Sequence, residues 1–285
     1  MTPALVVDSI AALRERLIAR RPQGRTIGFV PTMGALHRGH ARLIEEARRG
    51  CDDVVVSIFV NALQFDRADD FDRYPRTMDA DVALCADLGV DTVFAPAHSD
   101  MYPAAPECRI DVGRLADHLC GRHRPGHFTG MATVVMKLLQ VVQPHRAYFG
   151  EKDAQQLAII RRMVRDLNVP VGIAGVPTVR EPDGLALSSR NRHLSPQQRM
   201  QAVALFRALQ EAERLILAGE RDVALIISAV TATVPLENGI RLEYLEAVDP
   251  EELQPVVRVN GPVLMAGAMW VETTRLIDNI RCEEP

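Results

Sequence analysis

No apolar run in this chain approaches the roughly 18 residues that a membrane-spanning helix needs, so a protein that crosses a bilayer on helices is not expected. A surplus of positive charge is also missing. Lys and Arg total 33 against 37 Asp and Glu, a formal net charge of −4, which argues against a broad nucleic-acid or anionic-membrane surface. Any anion must then be held by a local group of residues. The five cysteines (Cys51, Cys85, Cys108, Cys120, Cys282) are odd in number and scattered; that suits free thiols in a reducing cytoplasm better than a disulfide framework. The first periodic segment carries Asp8, Arg14, Glu15 and Arg16 and does not have the pattern of a signal peptide. Internal repeats and low-complexity segments are absent. So are the two commonest phosphate-binding signatures: no Gly-x-Gly-x-x-Gly follows a strand and no Gly-Lys dipeptide marks a P-loop.

What is present is an ordinary globular composition, 47% hydrophobic and 25% charged over 285 residues, long enough for two domains. An amphipathic helix over 8–20 with an acidic cap is predicted first. A buried strand over 26–30 follows, then a helix running to Arg49. Residues 54–60, VVVSIFV, are apolar on both faces, as in a parallel sheet covered on both sides. A helix over 80–88 and a strand over 92–94 continue the alternation, which predicts a doubly wound α/β domain. Residues 95–109 hold three prolines and little pattern. Helix 131–142, strand 146–149, helix 154–168 and strand 171–176 come next. The stretch 176–195 is rich in Pro, Gly, Asp, Ser and Arg and marks a boundary, giving domains over 1–178 and 185–285. The second is predicted as a small α+β lid with one long helix over 196–218 capped by Ser195, a shorter helix, and strands over 241–248 and 262–271.

The stretch that organises the chain is Phe29 to Ile44, FVPTMGALHRGHARLI. Its order of strand, glycine-containing turn and helix puts free backbone N–H groups and a positive dipole end where a phosphate could sit. His37 and His40 share one helical face, and Gly34 and Gly39 permit a tight turn and close approach. Two imidazoles at a helix start can donate to phosphate oxygens and stabilise charge on a departing pyrophosphate. Lys152, just after a strand end, is a point charge for phosphates. Asp153 either bears on a Mg²⁺ ion carried by a triphosphate, since that ion prefers oxygen ligands, or caps a helix. Gln64 and Gln156 are neutral amides able to hydrogen-bond a carboxylate, though alone they read as polar loop or helix residues; Asn61 is a weaker candidate. The spacing Cys120, His123, His127 is ligand-like for zinc, but no fourth ligand is evident and Arg122 and Arg124 crowd the position. No cysteine lies in a recognisable nucleophile motif.

The string PTMGALHRGH (31–40) resembles the HxGH motif of the nucleotidylyltransferase superfamily and, at its full length, the pantoate–β-alanine ligase (pantothenate synthetase) family. Four further segments agree: FVNALQF (59–65) with the Asp69-Asp70 to Tyr74-Pro75-Arg76 run, RPGHFTG (124–130), FGEKD (149–153) with Gln155-Gln156, and LSSRN (187–191). The resemblance is dense over 25–195 and loose beyond. It implies a Rossmann-like parallel-sheet domain followed by the smaller α+β domain, with ATP as substrate and Mg²⁺ on it. Pantoate would attack the α-phosphate to give pantoyl adenylate, and β-alanine would displace AMP. ATP would be bound by Met33, Gly34, Ala35, Leu36, His37, Arg38, Gly39, His40, Gly150, Glu151, Lys152 and Asp153, by Val179 and Leu187 through their backbones at the adenine, and by Ser188, Ser189 and Arg190, the counterpart of a mobile KMSKS loop. His37, His40, Lys152, Ser188, Ser189 and Arg190 would act on the reacting phosphates. Gln64, Gln156 and Asn61 would bind pantoate, and Gln64 also β-alanine. A homodimer through the N-terminal domain is implied as well. One position departs from the family pattern: Ala62 stands where proline is usual, and proline would stiffen the loop carrying Gln64. A nucleotidylyltransferase that keeps the nucleotide on its product is the alternative enzyme, and a non-catalytic nucleotide-binding module the alternative outside enzymes.

Overall fold

Short β-branched runs separated by amphipathic stretches make strands and helices alternate. In the computed structural model, which describes residues 4–21, 24–235 and 239–283, the elements run as β1 (Leu5–Val7), α1 (Ile10–Arg20), β2 (Ile27–Thr32), α2 (Arg38–Gly50), β3 (Asp53–Ile58), α3 (Ala68–Asp72), α4 (Met78–Asp87), β4 (Thr92–Phe94), α5 (His98–Met101), α6 (Leu119–His123), α7 (His127–Val142), β5 (Arg146–Gly150), α8 (Ala154–Asp166) and β6 (Gly172–Val176). Then come α9 (Pro196–Ala202), α10 (Ala204–Leu217), α11 (Val223–Thr231), β7 (Ile240–Val248), β8 (Val263–Val271) and β9 (Thr274–Cys282). Contacts divide the chain into two units. One is Met1–Val112, Gly126–Glu151 and Ile159–Pro177; the other is Gly113–Pro125, Lys152–Ala158 and Thr178–Pro285. The segments 113–125 and 152–158 thus group with the second unit although they interrupt the first in sequence. Gln155, 6% exposed, supplies a cause: its Nε2 donates to the carbonyls of Leu115 and His118, 2.9 Å each, tying the start of α8 to the 113–125 segment.

The first unit is the expected Rossmann-like α/β fold. Its six strands are all parallel, in the order β1-β4-β3-β2-β5-β6. Every residue of β3 is buried, the signature of a strand covered on both faces. Strand order reverses between β2, paired to β3 on one side, and β5 on the other, with Phe29 level with both Val55 and Ala147. In open α/β sheets the crevice beyond the carboxyl ends at such a reversal is where ligands bind. Here β2 opens there into the Met33–Leu36 turn and β5 into Glu151. The strand β1 was not expected; it is three residues long, pairs with β4 at the sheet edge, and is too short to show a period. Helix α1 starts at Ile10, capped by the Ser9 hydroxyl accepting the Ala12 N–H at 3.2 Å, so serine rather than the acidic Asp8 ends it. A short helix, α5, lies in the proline-containing stretch read as irregular.

In the second unit three antiparallel strands run β7-β8-β9. Helix α10 buries Leu205, Ala208, Leu209, Ala212 and Ile216. Ser195 caps α9 as expected, in a reciprocal capping box with Gln198. The single long helix expected over 196–218 is two, interrupted at Val203, with Ala202 and Leu205 buried on either side of the break. The register skips Glu243 between Leu242 and Tyr244; such a bulge re-aims a side chain. Glu243 there accepts from Trp270 Nε1 at 2.8 Å and from Arg275 Nε at 2.9 Å, joining β7, β8 and β9. Burial works against this carboxylate, but the bonds from Arg275 and Trp270 outweigh it and hold its pKa below the ordinary 4.5. A carboxylate lowered in the folded state contributes stability above its unfolded pKa and loses it as pH falls toward the folded value. Denaturant melts of the wild type should therefore lose stability on acidification below 4.5, and Glu243→Gln should flatten that loss. Parallel curves for the two proteins would refute the linkage.

Candidate active site

The turn after β2 is held almost entirely by side chains. Thr32 Oγ1 donates to the Ser57 carbonyl at 2.7 Å and accepts the Gly34 N–H at 3.1 Å. Asp81, from the first turn of α4, accepts the Ala35 N–H on Oδ2 at 2.9 Å and the Leu36 N–H on Oδ1 at 2.8 Å. The His37 N–H donates to His40 Nδ1 at 3.3 Å and the Gly39 N–H to His37 Nδ1 at 3.1 Å. The free N–H cradle expected from the sequence is therefore corrected: the amides of 34–37 and 39 already have partners. Gly34 (φ +82°) and Ala35 (φ +50°) are both left-handed, and a Cβ on Gly34 would come within 3.0 Å of both Asp81 and Ile58.

That correction sharpens what the histidines can do. His37 is the N-cap of α2 and His40 closes its capping box, so both Nδ1 atoms are acceptors. In the neutral rings the proton then sits on Nε2. The ring centroids are 4.1 Å apart. The pair thus offers Nε2–H donors from one side of the helix start, with tautomers set by the backbone.

A second cluster in the same unit surrounds Gln64, at the end of the 3₁₀ turn Ala62–Gln64. Asn61, 1% exposed, donates from Nδ2 to Gln64 Oε1 (3.1 Å) and to the Gly130 carbonyl (3.2 Å), and its Oδ1 accepts from the Tyr102 hydroxyl (3.0 Å). Gln64 Nε2 reaches Met33 Sδ at 3.2 Å, and the Gln64 carbonyl lies 2.7 Å from His127 Nδ1. The FVNALQF and RPGHFTG segments are thus brought together, and the Asn61 side chain is occupied inside the protein. Asn61 itself is extended (φ −87°, ψ 107°), the conformation favoured before proline. Ala62→Pro is accordingly expected to keep full activity; an order-of-magnitude loss in steady-state kinetics would contradict this.

The second unit holds most of the remaining candidates, while Gly150 and Glu151 belong to the first. A small recess there is lined by Lys152, Ser188, Arg190, Asn191, Arg275 and Asp278, among others. Lys152 sits in the 3₁₀ turn Glu151–Asp153 that leads into α8, its carbonyl accepting from Asn279 Nδ2 at 2.9 Å. Ser188 caps the 3₁₀ turn Ser189–His193 by accepting the Arg190 N–H at 3.3 Å. Asp278 is paired with Arg180 at 2.6 Å. The Asn191 Oδ1 is buried without a donor, although its Nδ2 donates to the Ala186 carbonyl at 3.0 Å; a donor placed in the recess would satisfy that oxygen. The Leu187 N–H is taken by the Val179 carbonyl at 2.9 Å. Gln156 is half-buried beside the inward-turned Gln155.

All five cysteines are free thiols. Among the described residues no three His, Cys, Asp or Glu side chains group to hold a metal. Cys120 Sγ instead lies 3.1 Å from the Tyr244 hydroxyl, and burial, with Cys120 beside it, pushes that phenol well above its usual pKa. No helix of the described residues is long and apolar enough to cross a membrane. Sequence reasoning missed Thr32, Asp81 and Tyr102. Thr32 stands inside the quoted string. Asp81 and Tyr102 reach the site only through packing, and Asp81 reads in sequence as an ordinary acidic residue of a first helical turn.

Residues 5–281 match the family described as pantoate-beta-alanine ligase. The chain is 52% identical over 277 residues to the pantothenate synthetase of Heliobacterium modesticaldum, with 96% of this chain and 99% of that one covered. It is 50% identical to the pantothenate synthetase of Moorella thermoacetica, with 98% of each covered. The crystal structure of pantothenate synthetase from Thermus thermophilus superposes with a TM-score of 0.91 at 47% identity, covering 97% of this chain and 98% of that one. The pantoate-beta-alanine ligase of Francisella tularensis, solved with beta-gamma ATP and β-alanine, gives 0.77 at 35% identity over 97% of each chain. This chain belongs to the pantoate–β-alanine ligase family.

Proposed function

We propose that this chain is an ATP-dependent carbon–nitrogen ligase that condenses pantoate with β-alanine to pantothenate, releasing AMP and pyrophosphate. The observation that carries the reading beyond family membership is the imidazole pair with both Nδ1 atoms anchored on backbone N–H groups. Anchored donors cost no reorganisation when charge develops. In the first step a pantoate carboxylate oxygen bonds to the α-phosphorus of ATP as the bond to the β-phosphate oxygen breaks. His37 and His40 donate from Nε2 to the phosphate oxygens, and Lys152, Ser188, Ser189 and Arg190 supply further charge and donors to the polyphosphate. In the second step the β-alanine amine bonds to the acyl carbon, AMP departs with the electron pair of the C–O bond, and the amine proton passes to solvent. No protein nucleophile is needed; the chain positions reactants and stabilises charge.

Gln64 offers its carboxamide to pantoate and β-alanine and Gln156 to pantoate, while Asn61, with its polar atoms committed, acts by orienting Gln64. Since the Leu187 N–H is occupied, adenine contacts at Val179 and Leu187 would come from their other backbone groups. The remaining ATP-site assignments, from Met33 through Arg38 and from Gly150 to Asp153, rest on their places at the ends of β2 and β5. A Mg²⁺ ion carried by the triphosphate would be held with Asp153 supplying a carboxylate oxygen, the kind of ligand this ion prefers, and would neutralise phosphate charge. Free thiols suit a cytoplasmic enzyme, and the family resemblance supports a homodimer, which sedimentation tests.

The deciding assay follows AMP from ATP, Mg²⁺ and pantoate with and without β-alanine. A ligase releases AMP only when the amine is added. Release of pyrophosphate with the nucleotide retained on the product would favour a nucleotidylyltransferase, and ATP binding without pyrophosphate release a non-catalytic module.

A further inference from the structure

Asp81 belongs to no motif of the proposed reaction, yet its carboxylate is 2% exposed and forms no ion pair among the described residues. Such a charge is costly unless its oxygens are filled. Both are filled by the catalytic turn: Oδ2 takes the Ala35 N–H and Oδ1 the Leu36 N–H, while the Thr77 hydroxyl lies 3.2 Å from each oxygen. Ala35 is at φ +50°, a left-handed conformation unfavourable for a residue with a Cβ. It persists only where the surroundings over-determine it. The next two residues in chain order are Leu36 and the N-cap His37, whose own N–H is held by His40. The carboxylate also borders a cavity of about 270 Å³ walled by Met33, Gly34 and Thr77. The two hydrogen bonds to Asp81 thus fix Ala35 and Leu36, between the Thr32 hydroxyl that holds the Gly34 N–H and the ring pair that follows.

We propose that Asp81 is a positioning residue for adenylate formation: its carboxylate clamps Ala35 and Leu36 in the strained turn and thereby sets where the His37 and His40 rings stand. This rests on the ligase reading above, and its test separates the two. Asp81→Asn preserves size but turns an NH₂ toward one of the two amide donors. Pantoate-dependent pyrophosphate–ATP exchange by the variant should fall about ten- to a hundred-fold, the scale of a small misplacement of reacting groups. Adding Ala35→Gly should recover most of that loss, measured against the Ala35→Gly single variant, because glycine occupies the left-handed region without a clamp. A purely structural role of Asp81 in seating α4 would not respond to Ala35→Gly. Exchange within two-fold of wild type in Asp81→Asn, or no recovery in the double variant, overturns the proposal. If Asp81→Asn fails to fold, Thr77→Val, which removes only the hydroxyl donor to the carboxylate, takes its place with a smaller loss and the same expected recovery. If the wild-type chain shows no exchange at all, the ligase reading fails, and amide hydrogen exchange decides the clamp: Ala35 and Leu36 protected in wild type and exposed in Asp81→Asn supports it, and equal protection overturns it.

Discussion

His40→Ala is expected to lower pantoate-dependent exchange of pyrophosphate into ATP by about 10²- to 10³-fold, the loss typical of removing one preorganised donor to a developing oxyanion. The alanine also strips the acceptor from the His37 N–H, so some stability, about 1 kcal/mol for a helix cap, should go with it. His40→Gln separates the two effects. Glutamine at this position of a capping box reaches back to the N-cap amide but places no imidazole Nε2–H at the phosphate. Its melting temperature should stay near wild type while exchange remains low. Lys152→Ala should depress the same exchange without that capping effect. Unchanged exchange in His40→Ala would remove the imidazole pair from the mechanism.

Gly130→Ala is expected to damage both stability and pantoate binding. The peptide of Leu63 passes so close to this glycine in α7 that an added Cβ would stand 2.0 Å from the Leu63 carbonyl oxygen, 2.4 Å from its carbon and 2.8 Å from the Gln64 nitrogen. Backbone cannot swing aside as a side-chain end can. The 3₁₀ turn must shift by about an ångström, at the 1–3 kcal/mol or more that overpacking typically costs. That corresponds to a fall in Tm of about 2–5 °C. The same shift breaks the bond from Asn61 to the Gly130 carbonyl and carries Gln64 with it, so the pantoate KM should rise by about ten-fold or more. Gly261→Ala, where a Cβ meets nothing within 4 Å, is the control. A Gly130→Ala enzyme with wild-type Tm and KM would show that the turn does not depend on this contact.

Element by element, the chain was legible where burial followed a local period. The apolar-on-both-faces run now seen as β3 and the alternation of strand and helix led directly to the parallel sheet. Strand β9 was not legible because its buried face includes Asp278, a residue that argues against a strand interior until Arg180, nearly a hundred positions earlier, is seen to pair with it. The helix over 196–218 showed its apolar stripe but not its break at Val203, since both halves keep the same kind of period. The grouping of 113–125 and 152–158 with the second unit depends on contacts such as those of Gln155, which no compositional shift announces.

At the candidate site the division is the same. The amino-acid order alone determined a strand, a turn and a helix start with two imidazoles on one face, because those features depend on residues within four positions of one another. Tertiary structure decided what the turn's amides bind, which way Gln64 points and which nitrogens of the histidines carry protons. Asp81 comes from 46 residues away, Tyr102 from 41 and Gly130 from 69. A backbone or carboxamide group must find a partner once buried, but nothing in its own neighbourhood says which distant segment will supply it; only the packed chain does.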